Sequence, residues 1–200
     1  MIQHVFRFFT EELNRFIMLR NGAATPTGIV VAANIAKAEE LTAVTSKIVM
    51  SLVNIEEDRI SKHPSNSFPS PVGTGVEYKN PPVLVNLYVL FSVNRDYTDD
   101  ALLYLSYVMQ FFQHKNVFTP QNSPGLFTDT MLPVQQISSE LVTLNFEQVN
   151  HLWASLGGKY LPSVLYKIRQ VVIDDRFVQS GGGIILEIET IAKDKTPTVI

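Results

Sequence analysis

"PPVLVNLYVLFSV", residues 81–93, is the stretch on which the fold turns. Val83, Val85, Leu87, Val89, Phe91 and Val93 line one face of an extended chain, and Leu84, Tyr88 and Leu90 line the other. β-Branched and aromatic residues repeating with a period of two predict a strand. A strand that is apolar on both faces lies in the middle of a sheet covered on both sides.

The covers lie on either side of it in the sequence. Upstream, Ile2, Val5, Phe6, Phe9, Leu13, Phe16 and Ile17 follow helical spacing and form one apolar face, ended by Asn21–Gly22 and Pro26. Phe8 and Leu19 fall off that face, and either widen the core stripe or meet a neighbouring subunit. "GIVVAANIAKAEELT" reads as a short strand followed by a polar link, and "SKIVMSLVNIE" as a second strand. Between that strand and residue 81 runs a stretch over 57–80 rich in Pro, Ser and Gly. Loops of that length are usually functional or disordered.

Downstream, "YTDDALLYLSYVMQFFQH" predicts a helix capped by Thr98, with Asp99 and Asp100 at its positive end and apolar residues nearly all round. "NVFTPQNSPGLF" reads as an ordered turn and "MLPVQQISSELVTL" as a strand. In "LNFEQVNHLWASLGG", Asn145 and Gln148 form a capping box, and Leu144 with Val149 a hydrophobic staple. Val149, Leu152, Trp153 and Leu156 make its buried stripe. Gly157 takes the left-handed position after the helix, and Val164, Tyr166 and Ile168 alternate with Lys167 and Arg169 in a strand wet on one face. A phosphate-binding turn would run from strand through glycines to a helix N-terminus. Here helix precedes glycine and strand follows, so the Gly157–Gly158 pair is a corner.

The expected fold is therefore α/β (α+β), a mixed sheet flanked by helices in the order α-β-β-β-α-β-α-β, plus a C-terminal strand or arm. A single domain over residues 1–178 is expected, with 179–200 as hinge and arm. Gly181, Gly182 and Gly183 supply the hinge, and beyond them Ile184, Leu186 and Ile188 share one side of a β-prone segment. That segment is either an edge strand of the home sheet or an arm that adds to another subunit. Ordering about eight residues costs roughly 8–16 kcal/mol of backbone entropy, and burying three aliphatic side chains returns about 5–9 kcal/mol. An arm would need backbone pairing and several linked copies.

Composition narrows the function. Of 200 residues 46% are hydrophobic and only 18% charged, which leaves surface for other molecules to cover. The net charge of −3 offers no basic stripe for nucleic acid. Zero cysteines exclude disulfides, thiolate zinc sites and cysteine nucleophiles, and fit folding in the cytoplasm. The start has no signal-peptide pattern. The longest uncharged apolar run, Ala101 to Phe112, is far short of the ~20 residues that span a bilayer, so no membrane partner is expected.

Chemistry finds little footing. His4, His63, His114 and His151 are scattered, and no nucleophile elbow or Walker loop occurs. "VGTGVEY" holds a lone GxG inside a flexible stretch. Glu56, Glu57 and Asp58 could attract a cation, but no calcium-loop spacing surrounds them. A solvated strand end or a polar contact to a partner is the better reading.

Four stretches together carry a resemblance: "SLVNIEEDR" (51–59), "PPVLVNLYVLF" (81–91), "YVMQFFQHKNVFTPQNSPGL" (107–126) and "LWASLGGKYLPSVLYKIR" (152–169). They resemble the cap, or tail terminator, proteins of contractile injection systems, phage-tail-like particles such as the antifeeding prophage. The resemblance runs from the first helix to about residue 175, and leaves out the 60–80 stretch and the last 25 residues. It implies the α/β fold of phage tail terminators and a structural, non-enzymatic protein without catalytic residues, cofactor, metal or small-molecule substrate. Its expected partners are copies of itself in a six-fold ring, and the sheath and inner-tube proteins whose growth the ring ends. Assembly would be cytoplasmic, the product a part of the particle. The candidate interface comprises Phe8, Leu19, Glu56, Glu57, Asp58, Ile184, Leu186 and Ile188. Two other readings stay open: a different ring or adaptor of the same particle, for tube completion or sheath initiation, and a small enzymatic or ligand-binding domain with 57–80 as its lid.

Overall fold

The computed structural model describes residues 2–22, 28–37, 47–59, 68–72, 75–80, 82–94, 99–127, 136–157, 160–174 and 178–183. In chain order the elements are α1 (Ile2–Asn21), β1 (Val30–Ala32), a single helical turn (Ile35–Lys37), β2 (Lys47–Glu57), β3 (Phe68–Val72), β4 (Gly75–Lys79), β5 (Val83–Asn94), α2 (Asp99–His114), β6 (Val117–Phe118), β7 (Ile137–Val142), α3 (Phe146–Ser155), β8 (Ser163–Ile173) and β9 (Val178–Gly183). Two compact units result, one of Met1–Lys62 with Pro82–Asp174, the other of His63–Pro81 with Asp175–Ile200.

The first unit holds a six-stranded sheet in the order β1-β2-β5-β8-β7-β6. Only the β1–β2 pair is parallel. β5 sits inside the sheet, as its two apolar faces require. Val85, Leu87, Val89, Phe91 and Val93 pack into a core with Val5, Phe9, Leu13 and Ile17 of α1 and Val108, Phe111 and Phe112 of α2. Leu90, on the other face, joins a second core with Val49, Leu165, Ile35 and Trp153 of α3. Two helices therefore cover one face and the short α3 part of the other.

Two bulges keep the faces in phase. Val85 pairs with Val171 but Leu87 with Ile168, so β8 carries an extra residue there. Gln170 absorbs it with φ 64, outside the range most side chains adopt. Without the insertion Ile168 and Val171 would point to opposite faces; with it both enter the α1/α2 core. A second shift between Leu52 and Asn54 does the same for β2.

The edge strand β1 is only three residues long, and a side chain pins it. Asn14 of α1 donates from Nδ2 to the Val30 carbonyl and accepts the Val30 N–H on Oδ1, both at 2.9 Å. One carboxamide thus acts as a stretch of neighbouring strand. Above it, Phe9 and Phe118 meet edge-on at 4.9 Å and Phe112 lies 5.7 Å from Phe9, giving the α1–α2–β6 junction an aromatic centre.

Several expectations change. Phe8 is 8% exposed and meets Phe118 edge-on at 6.1 Å, which places it in a widened core stripe, the first of its two readings. α2 is not buried all round: Leu102, Leu103 and Met109 are exposed. Thr98, its expected cap, lies outside the described residues.

The second unit contains an antiparallel sheet in the order β3-β4-β9. The 57–80 stretch, read as a loop, holds the β3–β4 hairpin. Pro69 and Pro71 fit there because β3 is an edge strand and both share one parity, leaving Phe68, Ser70 and Val72 to carry the ladder. Gly181, Gly182 and Gly183, expected as a hinge, are strand residues paired with Glu77, Val76 and Gly75. Among the described residues no helix is long and apolar enough to cross a membrane.

Candidate functional site

α3 sets where the second sheet face stays open. Asn145 Oδ1 accepts the Gln148 N–H at 2.8 Å and Gln148 Oε1 accepts the Asn145 N–H at 3.0 Å, the capping box anticipated above. Gly157, with φ 65, turns the chain out after the helix. The ten residues between make a rod of about 15 Å. β8, eleven residues long, extends roughly 36 Å. Beyond Leu165 the same face of β8 therefore continues past the helix as Lys167 and Arg169.

Register decides what these two cations meet. Lys167 stands opposite Tyr88 of β5 on one side and Glu140 of β7 on the other. Its Nζ lies 5.2 Å from the Tyr88 ring and donates to Glu56 Oε2 of β2 at 2.9 Å. Tyr88 Oη donates to the same oxygen at 2.8 Å. Arg169 reaches diagonally to Glu140, donating from Nη1 at 2.9 Å. Four strands are thus laced by one charged ladder, and beside it is a cavity of about 330 Å³ lined by Glu57, Asp58, Arg59 and Asn86 as well as ladder residues.

The electrostatics suit fixed charge. Hydrogen bonds from Lys167 and then Tyr88 hold the Glu56 carboxyl below its ordinary value. The Glu56 hydrogen bond raises Lys167, and the Glu140 hydrogen bond raises Arg169, to which the nearby Asp58 charge adds. A general acid needs a carboxyl pushed upward, the reverse of what Glu56 shows. Among the described residues no three His, Cys, Asp or Glu side chains gather as a metal site. What the arrangement can do is present charges of both signs in a rigid pattern to another surface.

The expected site residues fare unevenly. Glu56 is half exposed and central to the ladder. Glu57 is exposed, 3.8 Å from Arg59. Asp58, by contrast, is 4% exposed, its N–H donating to the Leu84 carbonyl, so it belongs to the cavity wall. Leu19 is 70% exposed at the end of α1. Ile184, Leu186 and Ile188 lie outside the described residues. Tyr88, Glu140, Lys167 and Arg169 went unnoticed as a group. Only the polar alternation at Lys167 and Arg169 hinted at them.

A mixed sheet with two helices on one face and a short helix on the other is an α/β fold, and solved structures share that fold. The sheath/tube terminator of an extracellular contractile injection system, PVC, in its extended state aligns over 92% of this chain with a TM-score of 0.61 and 12% identity. The tube-terminating cap of the anti-feeding prophage aligns over 73% with a TM-score of 0.52 and 15% identity. At such identities the likeness is one of fold. The chain belongs to the Pvc16 N-terminal domain family, whose pattern matches residues 5–187. That match runs on through the 60–80 stretch and β9, where the resemblance in sequence had stopped. The chain spans 63% of the length of the first terminator and 49% of the second. No curated protein matches it.

Proposed function

We propose that this chain is a structural terminator, a non-enzymatic cap that ends the growth of the tube and sheath of a contractile injection system. The observation that carries the reading is membership of the Pvc16 N-terminal domain family across residues 5–187, supported by a fold shared with two terminating proteins. A tube ring grows because each added ring recreates the surface on which the next one docks. A terminator complements that surface on one side and offers a different one on the other. In this reading the chain works as a six-fold ring of identical copies, assembled in the cytoplasm, with the Glu56–Lys167 ladder and Leu19 among its contact residues. Residues 184–191, beyond β9, pair with the free strand edge of the last sheath ring.

The decisive experiment deletes the gene and measures particles by electron microscopy. Sheaths of uncontrolled length, or particles that fall apart from one end, are expected. Particles of normal length and distal structure refute the reading. Removing only residues 184–200 keeps β9 intact and should leave a ring that no longer holds the sheath. Full capping by that truncated chain would rule out the arm.

A further inference from the structure

The six-stranded sheet finishes on short strands at both ends, β1 at one side and β6 at the other. An edge strand turns main-chain N–H and C=O groups outward, where they invite pairing with another chain. The bonds to the neighbouring strands show which groups these are. Ile48 N–H donates to the Ile29 carbonyl and Ala33 N–H to the Met50 carbonyl, so Ile29 and Ala33 face β2 and Val30 faces out. At the other end Ser139 N–H donates to the Asn116 carbonyl, so Asn116 and Phe118 face β7, and Val117 and Thr119 face out.

Each outward position is met by an asparagine. At β1, Asn14 of α1 bonds to both the N–H and the carbonyl of Val30. At β6, Asn122 in the following turn does the same: Nδ2 donates to the Val117 carbonyl at 3.0 Å, and Oδ1 accepts the Thr119 N–H at 2.9 Å. The Thr119 carbonyl is taken as well, by the N–H groups of Asn122 and Ser123 at 3.2 and 2.8 Å. Asn122 is itself held in place. Ser123 Oγ donates to its Oδ1 at 2.9 Å, and Lys115 Nζ donates to its main-chain carbonyl at 2.6 Å. A carboxamide carries the donor and the acceptor of a peptide group together, which no other short side chain does. A helix and a turn, more than a hundred residues apart, thus offer one chemical group to opposite edges. The second unit guards β3 by another route, since Pro69 and Pro71 have no N–H to give.

We propose that Asn14 and Asn122 are edge seals, which stop a second copy of this chain from adding a strand to either end of the sheet. A second copy is the chain to be excluded because an open β6 edge is self-complementary. Two copies related by a two-fold axis bring their β6 edges together antiparallel, and each supplies the donors that the other's acceptors lack. With Val117 and Thr119 already bonded to Asn122, that pairing has to break bonds before it makes any. The proposal does not depend on the terminator reading, since neither tube nor sheath is needed to test it.

The chain has no cysteine, so an introduced one reports on the edge alone. Val117, 37% exposed on β6, is replaced in the full-length chain as Val117→Cys. The protein is oxidised with copper phenanthroline, and the disulfide-linked dimer is measured on a non-reducing gel. Arg7→Cys, on the exposed side of α1, serves as the control. With Asn122 in place, Val117→Cys should cross-link no faster than the control. Adding Asn122→Ala frees two main-chain groups to pair and should speed cross-linking by about tenfold. Asn122→Asp keeps the acceptor for the Thr119 N–H but loses the donor to Val117, and should speed it by a smaller factor. In a separate chain with valine retained, Asn122→Ala should raise the mass seen by analytical ultracentrifugation, and adding Val117→Lys, a charge on the edge, should return it to the wild-type value. Fast cross-linking by Val117→Cys alone overturns the proposal, as does a folded Asn122→Ala or Asn122→Asp chain that cross-links no faster. So does a raised mass that Val117→Lys leaves unchanged, which would trace the association to a loosened fold and not to the edge.

Discussion

Replacing Asn14 by aspartate tests whether one carboxamide secures the edge of the sheet. Asn14 is buried, and its Nδ2 donates to both Thr10 O and Val30 O while Oδ1 accepts the Val30 N–H, each at 2.9 Å. Asn14→Ala leaves the buried Val30 N–H and carbonyl without partners, at about 1–3 kcal/mol each. The total, roughly 2–6 kcal/mol, is a large part of the ~5–15 kcal/mol typical of a folded domain. In Asn14→Asp a protonated carboxyl still accepts with one oxygen and donates with the other. Once ionised, it turns a negative oxygen toward the Val30 carbonyl inside the core, so its folded-state pKa rises. A rise of about two units corresponds to roughly 2.7 kcal/mol. The sign follows from proton binding. Between the ordinary aspartate value of about 3.9 and the raised folded value, the folded state holds the proton more tightly, so stability falls as pH rises through that window. Urea unfolding of wild type, Asn14→Ala and Asn14→Asp at about pH 4 and about pH 7 reads this directly. The aspartate variant should approach wild type in acid and lose about 2–3 kcal/mol at neutral pH, while the deficit of the alanine variant stays nearly constant. A pH-independent deficit for the aspartate variant would refute the strand-mimicking role of this side chain.

Other expectations follow from the same contacts. Phe118→Ala, which empties the aromatic centre against Phe8, Phe9 and Phe111, should cost about 3–5 kcal/mol in denaturant unfolding with an unchanged m-value. Tyr88→Phe removes the hydrogen bond that, beside that of Lys167, holds the Glu56 carboxyl down, so carbon-detected NMR titration should show the Glu56 pKa moving up toward its ordinary value. In wild type, the support Glu56 lends is present above the ordinary carboxylate range and fades as pH falls through its lowered value, whereas that of Lys167 lasts until pH passes its raised value. Gly157→Ala meets no atom within 4 Å of the added carbon, so its cost in thermal unfolding should be backbone strain alone, about 1–2 kcal/mol.

The central strand shows how far a linear reading reaches. Val83 to Val93 announced a strand covered on both faces, and β5 lies between β2 and β8 with a core on either side. The Asn145–Gln148 box and the Gly157 turn were equally plain, because both are closed within a few residues. The 57–80 stretch and the triple glycine were not. Their strands form only by pairing with each other, and Pro, Ser and Gly carry little strand preference of their own. The exposure of Phe146 was invisible for another reason. An apolar residue beside a helical stripe has the same signature whether the stripe covers it or stops short of it.

Residues joined by short spacing, then, were determined by the sequence itself: which segments are helix or strand, which faces are apolar, where α3 begins and ends. Which faces meet was decided by the tertiary structure. Lys167 finds Glu56 across 111 positions of chain only because β5 lies between their strands, and Ile168 and Val171 share a core only because Gln170 adopts a left-handed conformation. Register and bulges are properties of strand pairs, settled by packing over the whole sheet, and a single strand read alone does not contain them.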